Sequence, residues 1–394
     1  MPAPDTSRAL PLRYGLAKTA TPVYGRPPSA QEQAENEPDL DKHFARADRE
    51  QAKELRMAAN DVPLDERGVP SGPPVIAANG DGVTAGGART AASWFDMGDV
   101  QLPILRLDRL DKPLVVKVLR RGSGVGLVGT LSFEGPRGPR RFGMLPDGSY
   151  VPVDRLDPAL GSTWHGVDLS QKSLPMAFVL RHETCPYSLA GSDPERLVDE
   201  EVDRRSPLQL SGRFRTVGGQ RFEEGEDGRW WRERDLVKLT KRSKFPDFVG
   251  EGTRWIDVSL ALQTLVLYEG KKPVYATLIS SGRDVLGDPE SSAATVRGTF
   301  SIGKKSHYRT LDPREVGETH EVLDAPWSLE FTPGFAFVGS YWADHSGEAR
   351  GFHDIALAPI DARRLHAWAG PEIPKGFAWF EPGEDDAVIV HVRK

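Results

Sequence analysis

Cysteine is nearly missing from this chain: its 394 residues include one, Cys185. A single thiol excludes an intramolecular disulfide framework, a thiolate zinc centre and an iron–sulfur cluster, each of which needs several cysteines. An excess of positive charge is missing as well, with 51 Lys and Arg against 57 Asp and Glu and a formal net charge of −6. Neutralising phosphates takes clustered Lys and Arg, so nucleic acid is not an expected partner. No apolar run reaches the roughly 18 residues of a membrane span. The start, Met1-Pro2-Ala3-Pro4-Asp5-Thr6, lacks the basic and then apolar regions of a secretory signal. The expected state is a soluble protein, cytosolic or a mature exported form.

Aromatic residues are scarce early: between Tyr24 and Trp94 only Phe44 occurs. Residues 1–93 are therefore expected to be a low-core, mostly linker-like segment. One helix is expected after Pro38-Asp39, where Leu40, Phe44, Ala47, Gln51, Leu55 and Ala58 recur every three to four residues. Gly68 to Gly87, rich in Gly, Pro, Ala and Asn, reads as a flexible tether.

Turn formers, by contrast, are abundant. Gly (40) and Pro (32) stand well above their average usage of about 7% and 5%. Many turns mean short strands, and the chain reads as β-rich from Trp94 onward. Leu114 to Leu119 is an expected strand and Gly122 to Gly129 a turn-rich stretch. No helical pattern follows Gly122-Ser123-Gly124-Val125-Gly126, which argues against a phosphate loop. A weak repeat pairs Asp147-Gly148-Ser149-Tyr150-Val151 through Leu156 with Asp227-Gly228-Arg229-Trp230-Trp231 through Leu236. Each copy is an Asp-Gly turn, an aromatic β-prone run and a polar stretch ending in Leu, which predicts two similar small β modules. Their expected limits are 94–170 and 171–250, with a third domain at 251–394.

The third domain has the clearest pattern. Ile256, Val258 and Leu260 alternate with Trp255, Asp257 and Ser259, the period of a half-buried strand. Thr264 to Tyr268 and Pro273 to Ile279 form a hairpin about Glu269-Gly270-Lys271-Lys272. Further strands are expected at Gly298 to Ile302, Gly334 to Gly339 and Ala387 to Val392, and one short helix from Pro359 to Ala369, stopped by Gly370-Pro371.

These blocks, with Ser281-Gly282, Ala325-Pro326-Trp327, Gly339-Ser340-Tyr341-Trp342, Pro359-Ile360-Asp361-Ala362 and Trp368, resemble the L,D-transpeptidase (YkuD-type) catalytic domain over roughly 252–380. The resemblance implies a β-sandwich or sheet with a short helix, preceded by small SH3-like β-barrel modules. It also implies a bacterial periplasmic or cell-envelope setting, peptidoglycan or an envelope protein as partner, and no cofactor or metal. The family transfers an acyl group between peptidoglycan stem peptides through a cysteine thioester. That chemistry needs a thiolate, a His to deprotonate it and donors for the oxyanion.

Here the pattern breaks. Carried over from Pro359, the family's Ser-His-Gly-Cys-hydrophobic-Asn stretch falls on Gly351-Phe352-His353-Asp354-Ile355-Ala356. The nucleophile position holds Asp354, the base position Phe352 and the Asn position Ala356; the upstream His-Gly reads Val338-Gly339. The expectation is a degenerate, catalytically inactive member. Gly339, Tyr341, Trp342 and His353 are candidates for lining a binding groove, with the aromatics equally readable as core. The alternative is altered acid–base or metal chemistry at His353 and Asp354, with Asp344-His345 nearby. Cys185 reads as a buried, inert thiol and His307 and His320 as surface residues. Ala358 stands where a Ser would cap the helix and form a box with Asp361.

Overall fold

The computed structural model describes residues 4–45, 95, 112–170, 172–191, 193–311, 320–383, 386 and 388–394. The chain divides into two compact units, Met1–Gly161 with His307–Pro326, and Ser162–Ser306 with Trp327–Lys394.

The first unit starts with strands β1 (Arg13–Ala17) and β2 (Thr21–Tyr24), followed by helix α1 (Ala30–Asn36). A capping box opens the helix: the Ser29 hydroxyl accepts from the Glu32 amide, and the Glu32 carboxylate accepts from the Ser29 amide. Then come β3 (Val115–Leu119), β4 (Gly124–Leu127), β5 (Gly129–Gly135), β6 (Gly138–Met144), β7 (Tyr150–Pro152) and β8 (Leu156–Ala159). β1 pairs with β4 and β8, and β2 with β3 and β7. Val23, Phe95, Leu119, Val125, Leu127, Val151, Leu156 and Leu323 share one core.

Residues 4–45 thus correct the expectation of a low-core segment ending at 93. Tyr14, Val23 and Tyr24 are fully or almost fully buried, and β1 and β2 complete the sheets of the module that continues at residue 112. Two short strands bury few residues, so composition averaged over ninety positions hides them. The expected helix is seen over 40–45; its continuation and the Gly68 to Gly87 tether lie outside the described residues. Gly122 to Gly129, expected as turn, contains strand β4.

In the second unit β9 (Val167–Asp168) is followed by β10 (Met176–Val179), β11 (Tyr187–Ser188), β12 (Glu195–Arg196), β13 (Pro207–Val217), β14 (Gln220–Gly225), β15 (Trp230–Arg232) and β16 (Leu236–Leu239). The sequence repeat is visible as structure. In both copies a hairpin leads to the Asp-Gly turn, a three-residue strand, a 3-10 turn (153–155 or 233–235) and a four-residue strand. Asp147 accepts from the Ser149 amide at 2.9 Å and Asp227 from the Arg229 amide at 3.0 Å. Gly148 and Gly228 have φ of 79° and 80°, the left-handed conformation that glycine adopts without steric cost.

The chain continues with β17 (Arg254–Ser259), β18 (Thr264–Glu269), β19 (Lys272–Leu278), β20 (Gly298–Ser301), β21 (Lys304–Leu311), β22 (Val322–Thr332), β23 (Phe335–Gly339), β24 (Ile355–Leu357), helix α2 (Pro359–Trp368), β25 (Trp379–Phe380) and β26 (Ile389–Arg393), all in the second unit except 307–311 of β21 and 322–326 of β22. One sheet runs β20, β26, β17, β18, β19, β9, with β26 parallel to β17. The hairpin and α2 lie where the sequence placed them.

β17 is not half-buried as its alternation suggested. Trp255 (0%), Asp257 (4%) and Ser259 (1%) are as inaccessible as Ile256 and Val258. One face packs on Leu329, Phe337 and Leu365, and Trp255 on the other packs on Leu174, Met176, Phe178 and Val237 of the preceding module. Buried Asp257 is matched by Arg242 at 2.9 Å and Arg393 at 3.1 Å. The period-two signal failed because the outer residues are a Trp and a charge-paired Asp rather than exposed polar groups. The expected domain limits at 170/171 and 250/251 both fall within this one unit, and His307–Pro326, expected in the third domain, belongs to the first unit. His307, expected at the surface, is 8% exposed because it continues the buried run Lys305 and Ser306 on β21.

Candidate functional site

Strands β23 and β24 lie in parallel, with Val338 opposite Ala356 and Gly339 opposite Leu357. Alternate residues Phe337, Ile355 and Leu357 enter the core, which fixes the register. On the far side of β24 the backbone of Ser280 exchanges hydrogen bonds with Ala356 at 2.8 and 2.9 Å. The Gly351 amide donates to the Ser281 carbonyl at 2.9 Å and the Arg283 amide to the Gly351 carbonyl at 3.0 Å. The segment 351–356 is therefore held on both sides by main chain. Gly282 permits this approach, since a Cβ there would sit 2.0 Å from the Ala293 carbonyl oxygen and 2.7 Å from that of Phe352.

Each predicted site residue can now be placed. Asp354 accepts a hydrogen bond from the Ala336 amide at 2.7 Å, so its carboxylate ties the loop to β23. The His353 imidazole stacks on Phe335, ring centroids 5.0 Å apart, with Nε2 2.9 Å from the Ser292 carbonyl oxygen. The neighbouring residues of the alternative acid–base pair are thus each engaged with backbone groups of other segments. The half-buried Phe352 lies beneath the Arg283 guanidinium, 5.3 Å from its ring centroid. Val338 is fully buried and Ala356 half-buried. Neither side chain can carry a proton.

Beyond Gly339, the Ser340 amide donates to the Leu357 carbonyl at 2.8 Å and its hydroxyl to the Ala343 carbonyl at 2.6 Å. Tyr341 is 2% exposed and is a core residue, while Trp342 stands edge-on to it at 5.3 Å and keeps a partly open face. Of the proposed aromatic groove residues, Trp342 is the one with ring surface to offer. Asp344 and His345 are exposed. The Asp344 carboxylate is taken by Arg205 at 2.6 Å and Ser162 at 2.9 Å. Burial works against its charge, but these partners outweigh it and hold the carboxyl below the usual range. No cluster of three His, Cys, Asp or Glu side chains suited to a metal ion occurs among the described residues. Cys185 is 4% exposed, in the preceding module.

The sequence reading missed two supporting residues. Thr295 accepts from the Gly282 amide at 2.9 Å and donates to the His353 carbonyl at 3.0 Å. Asp361 is 1% exposed and does not cap α2. It accepts from the Gly166 amide at 3.0 Å and from the Tyr275 and Thr277 hydroxyls. Burial raises its pKa, and these three neutral donors offset only part of that shift.

Residues 253–369 match the L,D-transpeptidase catalytic domain family, YkuD. That span is an L,D-transpeptidase-like domain, and it makes up less than half of the chain. Among solved structures, the chain is similar to an L,D-transpeptidase (residues 123–326) from Xylanimonas cellulosilytica, with 16% identity over 38% of this chain and 65% of that one, at a TM-score of 0.26. The C442S mutant of the Enterococcus faecium L,D-transpeptidase shares 20% identity over 40% of this chain and 55% of that one, TM-score 0.27. An L,D-transpeptidase from Mycobacterium smegmatis shares 17% identity over 47% of this chain and 78% of that one, TM-score 0.28. The chain thus spans less than two thirds of the first two structures. A comparison with curated proteins gives no match.

Proposed function

We propose that the L,D-transpeptidase-like domain is catalytically inactive and acts as a binding module of a bacterial cell envelope, with peptidoglycan or an envelope protein as its partner. The observation that carries this reading is Asp354 at the nucleophile position, its carboxylate hydrogen-bonded to the Ala336 amide. Thioester chemistry needs a thiolate and an adjacent base, and the positions for these hold Asp354, Phe352 and Val338. Losing one such group from an acyl-transfer enzyme costs on the order of 10⁶ in rate. A carboxylate is a weak nucleophile towards an amide, and the anhydride it would form reverts. The engagement of His353 and Asp354 with separate backbone groups weighs against a substitute acid–base pair. We further read the two Asp-Gly modules as SH3-like, a reading that their shared hairpin, 3-10 turn and final strand support.

The test is incubation of the full chain with tetrapeptide muropeptides and, separately, with a carbapenem. The expected result is no 3-3 cross-link and no acyl adduct by mass spectrometry; either product overturns inactivity. Retention of the full chain on purified sacculi supports peptidoglycan as partner, and its loss in Trp342→Ala places the contact at the altered site. A chain that passes through sacculi unretained rejects peptidoglycan.

A further inference from the structure

At the opposite end of β19 from the altered site lies an open cavity of about 380 Å³. Lys272 starts that strand and Leu278 ends it, so seven residues at ~3.3 Å each separate the two places by about 20 Å. The cavity is lined by residues of three segments, 169–174, 241–245 and 268–273, all within the second unit. Its floor is apolar, with Leu169, Leu174, Phe245 and Pro273 among the residues lining it.

Its rim is cationic. Lys172, Lys241, Lys271 and Lys272 line it, are exposed, and have no ion-pair partner among the described residues; no Asp or Glu lines it. Four lysines elsewhere, Lys18, Lys112, Lys117 and Lys238, do face a carboxylate. Four uncompensated ammonium groups around one concavity, in a chain of net charge −6, create a local positive field that attracts anions. The Lys271 ammonium lies 5.9 Å from the Phe245 ring centroid, which brings the charged rim over the apolar floor.

The kind of anion follows from the donors. Arg242, the one guanidinium in the lining, already spends its fork on Asp257, at 2.9 and 3.2 Å. Planar bidentate recognition of a carboxylate by Arg242 is therefore unavailable, and what remains, beside Ser170 and Ser173, are point charges on flexible stems, which suit the tetrahedral oxygens of phosphate. We propose that this cavity is a binding site for a ring-bearing diphosphate, with its phosphates among Lys172, Lys241, Lys271 and Lys272 and its ring against Phe245 and Pro273. The site is independent of chemistry at Asp354, and its occupant need not be the partner of the altered site.

Calorimetric titration of the full chain with uridine diphosphate, inorganic pyrophosphate and trigalacturonate tests this. Uridine diphosphate is expected to bind, with affinity falling as salt rises. The double variant Lys271→Ala/Lys272→Ala is expected to weaken it by at least about tenfold, roughly 1.4 kcal/mol. Both substitutions are at exposed positions, so the fold is retained, which circular dichroism checks. Phe245→Leu should bring uridine diphosphate towards the affinity of pyrophosphate. Absence of uridine diphosphate binding at millimolar concentration, unchanged binding in the double variant, or preference for trigalacturonate would each overturn the proposal.

Discussion

Glu37 in the first unit and Asp361 in the second are both buried carboxylates that join segments far apart in sequence, and their partners differ in kind. Glu37 accepts from Arg140 at 2.7 and 2.9 Å, from Arg155 at 2.5 Å and from the Tyr24 hydroxyl at 2.9 Å. Arg155 also reaches Asp39 at 2.7 Å, and Arg140 reaches Asp154 at 3.0 Å. Asp361 is met by neutral donors alone, and burial raises its pKa. The first arrangement cancels buried charge with charge, whereas the second leaves the carboxylate to bear its own desolvation. Removing a partner therefore does different damage in each, because an unpaired buried ion costs more than an unmade neutral hydrogen bond.

The largest expected effect is in the first unit. Glu37→Ala removes the buried carboxylate shared by Arg155 and Arg140, leaving each with one partly exposed carboxylate, Asp39 or Asp154, and is expected to cost about 3 kcal/mol. Hydrogen exchange should show protection falling in β1, β2 and β6; unchanged protection there would break the contrast. Asp361→Ala leaves two hydroxyls and one amide without an acceptor and is expected to cost about 1–3 kcal/mol, read as a lower urea midpoint of the second unit. A loss equal to that of Glu37→Ala would mean that charge pairing is not the distinction.

Two other buried groups give the units opposite pH responses. Burial pushes the Asp324 carboxyl in the first unit from 3.8 up to about 7. Between these values the folded state holds more protons than the unfolded one, so stability falls as pH rises from about 4 to 7. Burial pushes the Lys305 ammonium in the second unit from 10.5 down to about 8, where it donates at 2.8 Å to the carbonyls of His366, in the last turn of α2, and of Pro371 beyond it. Here the unfolded state holds more protons, so stability rises from about pH 8 to 10.5. Each slope is at most about 1.4 kcal/mol per pH unit. Chemical denaturation across pH should show the first slope flattened by Asp324→Asn and the second by Lys305→Met. The smallest effect expected is at the uncapped start of α2: Ala358→Ser should stabilise the second unit by about 0.5–1 kcal/mol, visible as a small rise in Tm.

Much of this was legible in the residues. The hairpin at 264–278, the helix opened by Pro359 and the twin Asp-Gly turns are encoded within a few neighbours, and all three lie where expected. The candidate positions Val338, Phe352, Asp354 and Ala356 were chosen by their spacing from Gly339 and Pro359, and β23 and β24 set Val338 beside Ala356. What the side chains do was not legible. Nothing near Asp354 in sequence announces the Ala336 amide as its partner, and nothing near His353 announces Phe335 and Ser292.

The sequence by itself determined the local geometry, turns and short strands, and the L,D-transpeptidase-like pattern over 253–369. Such features depend on residue type and short-range backbone preference, which act within a few positions. Tertiary structure alone decided that Arg13–Tyr24 completes a module resumed at residue 112, that Trp255 and Asp257 are buried, and that lysines from three segments surround one apolar floor. Each of these depends on which surface meets which after the chain has closed over long sequence separations, and a residue's own neighbours carry no record of that.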